Sequence, residues 1–484
     1  LSQLHMPGRV VILGCGSVAQ CLLPLLIERF AFDPTSISVI ESRNNRERIA
    51  SSIAQGVQYF QLEVDRGNLN ATLDTFLGDG DLLIDLAWNI GLSDLLEWCR
   101  DHNVRYLNTS VEVWEPYLDP ATTSPQERTL YWRHMELREQ LARWGSNDGP
   151  SAVVEHGANP GLVSHFTKQA LHDIASRVIL DGLLLERHAA LIEALEAGRF
   201  NMVAKLLDVK VIHIAERDTQ ITDQPKLPGE FVNTWSVDGF YEEGVAPAEM
   251  GWGTHEKRLP EFAYVHEGAG PRNQICLAQM AHKTLVRSRT PSGQIIGMVI
   301  RHGEAFTICD HLTVWEGDEA VYRPTVHYAY CPSDVAWASF VELEGSQYEY
   351  PQRQRIMNDE IISGRDELGV LLMGHPYKSW WTGMLTTIEE AREAAPHQSA
   401  TTIQVAASIL GAVDWMLRAP NEGVRVPDEL PWRQVIDVAN DYVGTTWSGP
   451  LDWDPVSTKA DWFDRWSGRT LDHDDLWQFT NFQA

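Results

Sequence analysis

The sequence predicts an α/β protein: a doubly wound parallel sheet over residues 1–150, followed by an α+β unit over residues 151–484. Three observations carry this. Short β-rich runs alternate with helical patterns through the first 110 residues, a glycine-rich turn follows the first run, and breakers cluster at Trp144–Pro150 (WGSNDGP). Alternation at that spacing implies parallel neighbours, because a parallel pair needs a crossover helix.

Each element follows from its local pattern. Arg9–Leu13 (RVVIL) is a strand that stops at glycine, and Ser17–Phe30 has helical spacing with Pro24 expected to kink it. The next strands are Ile37–Ile40, Val57–Gln61, Leu82–Asp85 and Arg105–Asn108, joined by helices at Asn45–Gln55, Asn68–Leu77 and Leu92–His102. Beyond the breaker cluster, Ser164–Leu171 and Leu191–Leu207 read as helices. Gln294–Val314 and Tyr322–Tyr330 read as antiparallel strands, with turns at His302–Glu304 and Gly317–Glu319. Ala400–Leu417 is a strongly apolar helix after an exposed stretch at Glu389–Ser399, and the 400–420 helix is expected to pack back onto the first unit. The last 60 residues carry many Trp and Pro with little periodicity and are expected to wrap the surface or a partner.

Composition narrows the function. The chain has 39 Lys and Arg against 67 Asp and Glu, a net charge of −28. That acidity argues against nucleic acid, whose phosphates demand a basic face, and suits cationic small molecules as well as plain solubility. Six scattered cysteines without a CxxC pair argue for a reduced, cytoplasmic protein with no structural zinc, and no metal site is expected. No apolar run reads as long enough to span a membrane. HExxH, GxSxG and Walker motifs are absent, so zinc hydrolysis, an esterase elbow and phosphoryl transfer have no support.

The glycine turn Gly14-Cys15-Gly16-Ser17-Val18-Ala19 fits G-x-G-x-x-[G/A] between a strand and a helix. Gly14 permits the tight turn, Gly16 lets backbone approach a pyrophosphate, and Ala19 lets the helix sit close to the sheet. The helix N-terminus supplies unpaired N–H groups to the phosphates. The second strand ends at Glu41, placed to accept hydrogen bonds from ribose hydroxyls and to repel a 2′-phosphate, which favours NAD over NADP. Arg43 and Arg46 are the neighbours that would reverse this preference.

Further blocks stand out: GANPG at 157–161, HIAERDTQ at 213–220, FVNTWSVDGF at 231–240, VYRPTVHYAY at 321–330, DELGVLL at 366–372 and the C-terminal WQF. With GCGSVA they resemble the bacterial homospermidine synthases of the saccharopine dehydrogenase-like superfamily, over essentially the whole chain. The resemblance implies a Rossmann-like NAD-binding domain, a substrate-binding and dimerisation domain with a C-terminal extension, and a homodimer. It also implies joining of two putrescines into homospermidine with release of ammonia, spermidine serving as an alternative aminobutyl donor, and NAD reduced and reoxidised within one turnover. Two positions depart from the family: Asn89 (AWNIG) stands where relatives carry Asp, and His156 before GANPG stands where they carry a small or thiol side chain.

The chemistry suits the matched residues. A diammonium substrate wants carboxylates for its ends and an aromatic face for a developing cation. Trp235, Glu216, Glu243 and Asn159 are therefore the expected catalytic residues, with Asp366, Glu112, His302 and Asn89 for substrate. Gly14, Gly16, Ser17, Val18, Glu41, Asn108, Thr109 and Asn159 are the expected cofactor contacts. Each has a plainer alternative. Glu216 is also a partner for Arg217, and Trp235 between Val232 and Val237 is also core packing. Asn159 before Pro160 is also a helix N-cap, Glu112 a surface carboxylate and His302 a solvated turn histidine. The Asp472–Asp475 run reads as a solvated face. Rival functions are a saccharopine- or carboxyspermidine-type dehydrogenase, which should show an arginine clamp, and a catalytically silent polyamine- or NAD-binding protein.

Overall fold

The structure is a computed structural model that describes residues 4, 7–115, 122–459, 462–463, 466 and 471–484. Seven parallel strands form the first sheet, in the order Val424–Arg425, Ala152–Val153, Arg105–Asn108, Leu82–Asp85, Val10–Leu13, Ile37–Glu41 and Gln58–Gln61. The central strands are buried on both faces, as crossover helices on either side require. Chain order reverses between Val10–Leu13 and its neighbours, which opens a crevice above their carboxyl ends. The two outermost strands on one side come from beyond residue 150, so the polypeptide returns to finish this sheet.

The second sheet has ten strands. Val211–Asp218 lies at its centre, parallel to Thr325–Cys331 and antiparallel to Arg365–Met373. These strands are buried along almost their whole length although they carry His213, Glu216, Asp218, Asp366 and Glu367. Buried acids break both the alternation and the apolar run by which a strand is read, so these segments read from sequence only as polar motifs. Between the sheets lies Ala400–Arg418, packed against Ser17–Phe30 and against both sheets. By length and a mean hydropathy of 1.3 this helix would suffice to cross a membrane, contrary to the sequence reading, but 94% of it is buried within the protein.

Ser17–Phe30 is one helix that contains Pro24. Other expectations are corrected. Leu191–Leu207 is two helices, His188–Glu196 and Phe200–Leu207, divided at Gly198 with φ +64°. Gln294–Val314 is not a strand pair: the strand Gly293–Met298 is followed by a helix, Glu304–His311, with Gly303 at its N-cap. β-branched and aromatic residues in AFTIC read as strand, but tertiary packing buries them as a helix. Glu389–Ser399 begins with the helix Ile388–Ala394, capped reciprocally by Thr387 and Glu390. The C-terminal region is built in: Trp432–Ala439 is a helix, Thr446–Pro450 edges the second sheet, and Trp453, Phe479 and Phe482 are buried. Asp472 and Asp475 both pair with Lys257, rather than forming a wholly solvated face.

Candidate active site

A cavity of about 980 Å³ runs from the glycine turn, across the crevice of the first sheet, to the carboxyl end of Val211–Asp218. Its first end is nucleotide-shaped. Gly14 has φ +88°, and a Cβ there would lie 2.7 Å from the Leu86 carbonyl oxygen, so only glycine fits this turn. A Cβ on Gly16 would meet nothing within 4 Å, which leaves the space a phosphate needs directly before the helix. Gly16 is also the N-cap of Ser17–Phe30 and offers no side chain, so the first N–H groups remain available to an anion. Glu41 Oε2 accepts the Cys15 N–H at 2.7 Å and Oε1 accepts the Arg43 N–H at 3.0 Å, which locks the acid beside the turn. Arg43 lines the cavity, whereas Arg46 does not.

Thr109, Ser110 and Glu112 follow the fifth strand into the cavity. Asn108 does not reach it. Its amide donates to Tyr106 Oη at 3.1 Å and the Ser110 carbonyl at 2.7 Å, and its oxygen accepts the Glu155 N–H at 2.8 Å. It thereby shapes the turns on either side. Asn89 lines the wall in a left-handed conformation, φ 61°, with its buried Oδ1 lacking a hydrogen-bond partner.

At the second end, Glu216 is fully buried at the tip of its strand. It accepts hydrogen bonds from the Tyr328 hydroxyl and, at 3.3 Å, from the Asn159 amide. Burial outweighs the Tyr328 hydrogen bond and pushes its carboxyl up to about 8. The Arg217 ion pair does not form: Arg217 donates to Ser292 at 3.3 Å instead. Asn159 is not a helix cap either, since the helix Leu162–Leu180 begins after Gly161. Asp366 lies behind the cavity wall, opposite Asp218 and diagonal to Glu216 in the sheet, and accepts the Thr401 hydroxyl at 2.8 Å. Burial, then the charges of Glu216 and Asp218, drive its carboxyl well up.

Trp235 is half-buried, with Nε1 donating to Tyr330 Oη at 3.1 Å, and the ring both packs on Phe240 and faces the cavity. His302 stands before the helix Glu304–His311, not in a solvated turn. Its Nε2 is 3.1 Å from Glu243 and its Nδ1 3.2 Å from Glu304. Burial opposes its charge, but Glu304 and Glu243 prevail and raise its pKa well above the usual range. Glu112 accepts from Ser110 at 2.8 Å, leaving Oε2 buried and unpartnered; burial and Glu242 raise its pKa.

Several residues went unnoticed in the sequence. Glu242 is clamped by Arg301 at 2.6 Å and Arg133 at 3.1 Å and accepts the Trp88 indole N–H at 3.1 Å. Burial would raise its carboxyl, but the two arginines bring it down to about 2. The arginines come from distant segments and have no shared motif, so no local signal marked them. Tyr328 and Tyr330 belong to the VYRPTVHYAY segment, and their two-residue spacing places both on one strand face. Among the described residues, ten carboxylates line the cavity against four arginines, and two of those arginines pair with Glu242.

Comparison with known proteins places this geometry. Residues 10–153 match the model of the saccharopine dehydrogenase NADP binding domain, and residues 157–445 that of the saccharopine dehydrogenase C-terminal domain. The chain is 37% identical to a homospermidine synthase of Blastochloris viridis, covering 99% of this chain and 97% of that one. It is also 37% identical to one of Mesorhizobium japonicum, covering 99% and 96%. Among solved structures, the homospermidine synthase of Legionella pneumophila in complex with NAD superposes with a TM-score of 0.87, at 35% identity over 99% of this chain and 98% of that one. Saccharopine dehydrogenase of Saccharomyces cerevisiae shares the fold, with a TM-score of 0.50 at 11% identity over 91% and 99%.

Proposed function

The chain belongs to the homospermidine synthases of the saccharopine dehydrogenase-like family, and we propose that it transfers an aminobutyl group between polyamines in an NAD-dependent reaction without net redox change. One observation carries the reading: a single cavity joins a dinucleotide turn to a carboxylate-rich, Trp-bearing end whose buried arginines are spent on Glu242. Their pairing with Glu242 argues against a clamp for a carboxylated substrate, and the homospermidine synthase relatives at 37% identity favour the main reading over the dehydrogenase alternative. A silent binding protein would have no need of a buried carboxyl tuned towards amine chemistry.

The dinucleotide end fits NAD. Gly14, Gly16, Ser17 and Val18 would cradle the pyrophosphate, Glu41 would take the ribose hydroxyls, and Thr109 and Asn159 would border the nicotinamide. NAD⁺ bound there supplies a hydride acceptor for the amine carbon and later returns that hydride to the new carbon–nitrogen double bond.

The protein's part is to place and discharge the amine. Glu112, Glu243 and Asn89 receive the ammonium ends of putrescine or spermidine. Glu216 takes the proton that the reacting ammonium must lose before oxidation. An ordinary carboxylate lies about six pKa units below a lysine-like ammonium near 10.4, a transfer uphill by roughly 8 kcal/mol. At about 8, Glu216 narrows this gap to a few kcal/mol. Tyr328 and Asn159, both bonded to Glu216, hold it in line. Trp235 offers its ring to the iminium cation, and His302 fixes Glu243. A second putrescine then displaces ammonia, and the resulting imine is reduced to homospermidine.

The dinucleotide unit spans 1–150 and the substrate and dimerisation unit 151–484, with the 152–153 and 424–425 strands completing the first sheet. Exposed Trp462 (80%) and Trp466 (74%) support a homodimer, and six unpaired thiols suit a cytoplasmic location. Incubating the purified protein with putrescine and NAD⁺ and identifying products by mass tests the reading. Ammonia and homospermidine in equal amounts, with NADH substoichiometric, are expected; NADH accumulating one-for-one with ammonia would overturn it.

A further inference from the structure

His156, just before the Gly157–Gly161 turn, belongs to a buried hydrogen-bonded line that ends beneath Asn159. His156, His165 and Ser408 are all wholly inaccessible to solvent or nearly so. His156 Nε2 lies 3.0 Å from His165 Nε2, and His156 Nδ1 lies 2.9 Å from Ser408 Oγ, which in turn donates to the Gly157 carbonyl. That carbonyl also accepts the Leu162 N–H at 3.0 Å, and the Gly157 N–H closes the loop on the Pro160 carbonyl at 2.6 Å. The loop so closed is the one that carries Asn159 to Glu216 and Tyr328.

Proton counting fixes the direction of every bond. Ser408 has one hydrogen and gives it to Gly157, so it must accept from Nδ1–H of His156. His156 is then an acceptor at Nε2 and takes the Nε2–H of His165. This leaves only His165 Nδ1 without a partner, a bare acceptor, whereas the reverse order would strand a buried N–H. Burial keeps both rings neutral, driving His156 down to about 3.

We propose that His165, His156 and Ser408 form a latch that ties the Asn159 loop to the helix Ala400–Arg418 and sets where Asn159 meets Glu216. Its members are positioning residues, acting through Asn159, and the proposal rests on reading this end of the cavity as the amine site. Thr401 and Val405 of the same helix line the cavity, so the latch references Asn159 to the wall it faces.

The test combines nitrogen-15 spectroscopy with a mutant cycle on the full-length protein. At neutral pH His156 should show the Nδ1–H tautomer and His165 the Nε2–H tautomer, assigned by difference from His156→Gln and His165→Gln. Ser408→Ala should lower kcat on putrescine about tenfold, the scale of a sub-ångström displacement of a positioned group, with NAD⁺ affinity unchanged within twofold. In an Asn159→Ala background the same substitution should cost less than twofold. His165→Phe, which keeps a ring but removes the donor, should behave likewise if Ser408→Ala folds poorly. An Nε2–H tautomer at His156, or equal losses in both backgrounds, would overturn the latch. A wild-type chain that does not turn over putrescine would instead overturn the amine-site reading, and the tautomers would still decide the latch.

Discussion

Trp235 separates a cation platform from simple packing, because its ring both contacts Phe240 and faces the cavity. Replacing it by Phe or by Leu removes the same Nε1 hydrogen bond to Tyr330, 3.1 Å long, so that loss cancels when the two variants are compared. Phe retains an aromatic face and Leu retains only apolar bulk. A cation over an aromatic ring in a desolvated site is worth about 1–2 kcal/mol, which converts to a roughly five- to thirtyfold difference in rate if it acts on the transition state. Trp235→Leu should therefore turn over roughly five- to thirtyfold more slowly than Trp235→Phe. Gly239 packs beneath the ring, where a Cβ would lie 2.9 Å from Cζ3, so either variant leaves a gap and should melt below wild type. Ammonia release per folded molecule, measured beside thermal melts, gives both quantities. If the Leu variant lost stability yet matched Phe in turnover, Trp235 would be packing and the platform would be refuted.

Other outcomes follow from the same geometry. Because Glu216 must be ionised to accept a proton and burial holds it near 8, the rate should climb through pH 8; Glu216→Gln should be slower by ~10²–10⁴ and lose that inflection, and a retained inflection would assign it elsewhere. Glu41→Ala should weaken NAD⁺ binding and raise relative affinity for NADP⁺ by titration calorimetry, whereas wild-type turnover with NADP⁺ equal to that with NAD⁺ would sink the assignment and promote Arg43. Asn89→Asp adds a charge to the acidic wall and should lower KM for putrescine severalfold; an unchanged KM would place the ammonium away from this residue. Glu256, which anchors the Phe479 N–H at 3.0 Å and the Thr325 hydroxyl at 2.8 Å, is pushed by burial to about 7. Its folded form binds the proton more tightly than the unfolded chain, so its contribution, of order 3 kcal/mol, is full below pH 4.5 and lost as pH rises through 7. Thermal melts from pH 5 to 8 should fall less steeply for Glu256→Gln, and parallel slopes would show that another group titrates.

The glycine turn, the acid after the second strand and the five strands around them were legible because their signals are local. A tight turn needs Gly14, a buried parallel strand needs an apolar run, and both are written within a dozen residues. The specific blocks likewise marked Glu216 and Trp235, and the fold brings them to one cavity with Glu243 and His302, which were read from the residues just after a block and from a turn. Tertiary structure alone decided the rest. It withdrew Asn108 and Asp366 behind the wall, turned Asn159 from a helix cap into a partner of Glu216, and set Arg133 and Arg301 on Glu242 rather than on a ligand. The strands Val211–Asp218 and Arg365–Met373 were illegible as strands because they bury charged side chains at the site they build. Such burial is tolerated only where groups from distant segments converge, and sequence spacing carries no record of that convergence.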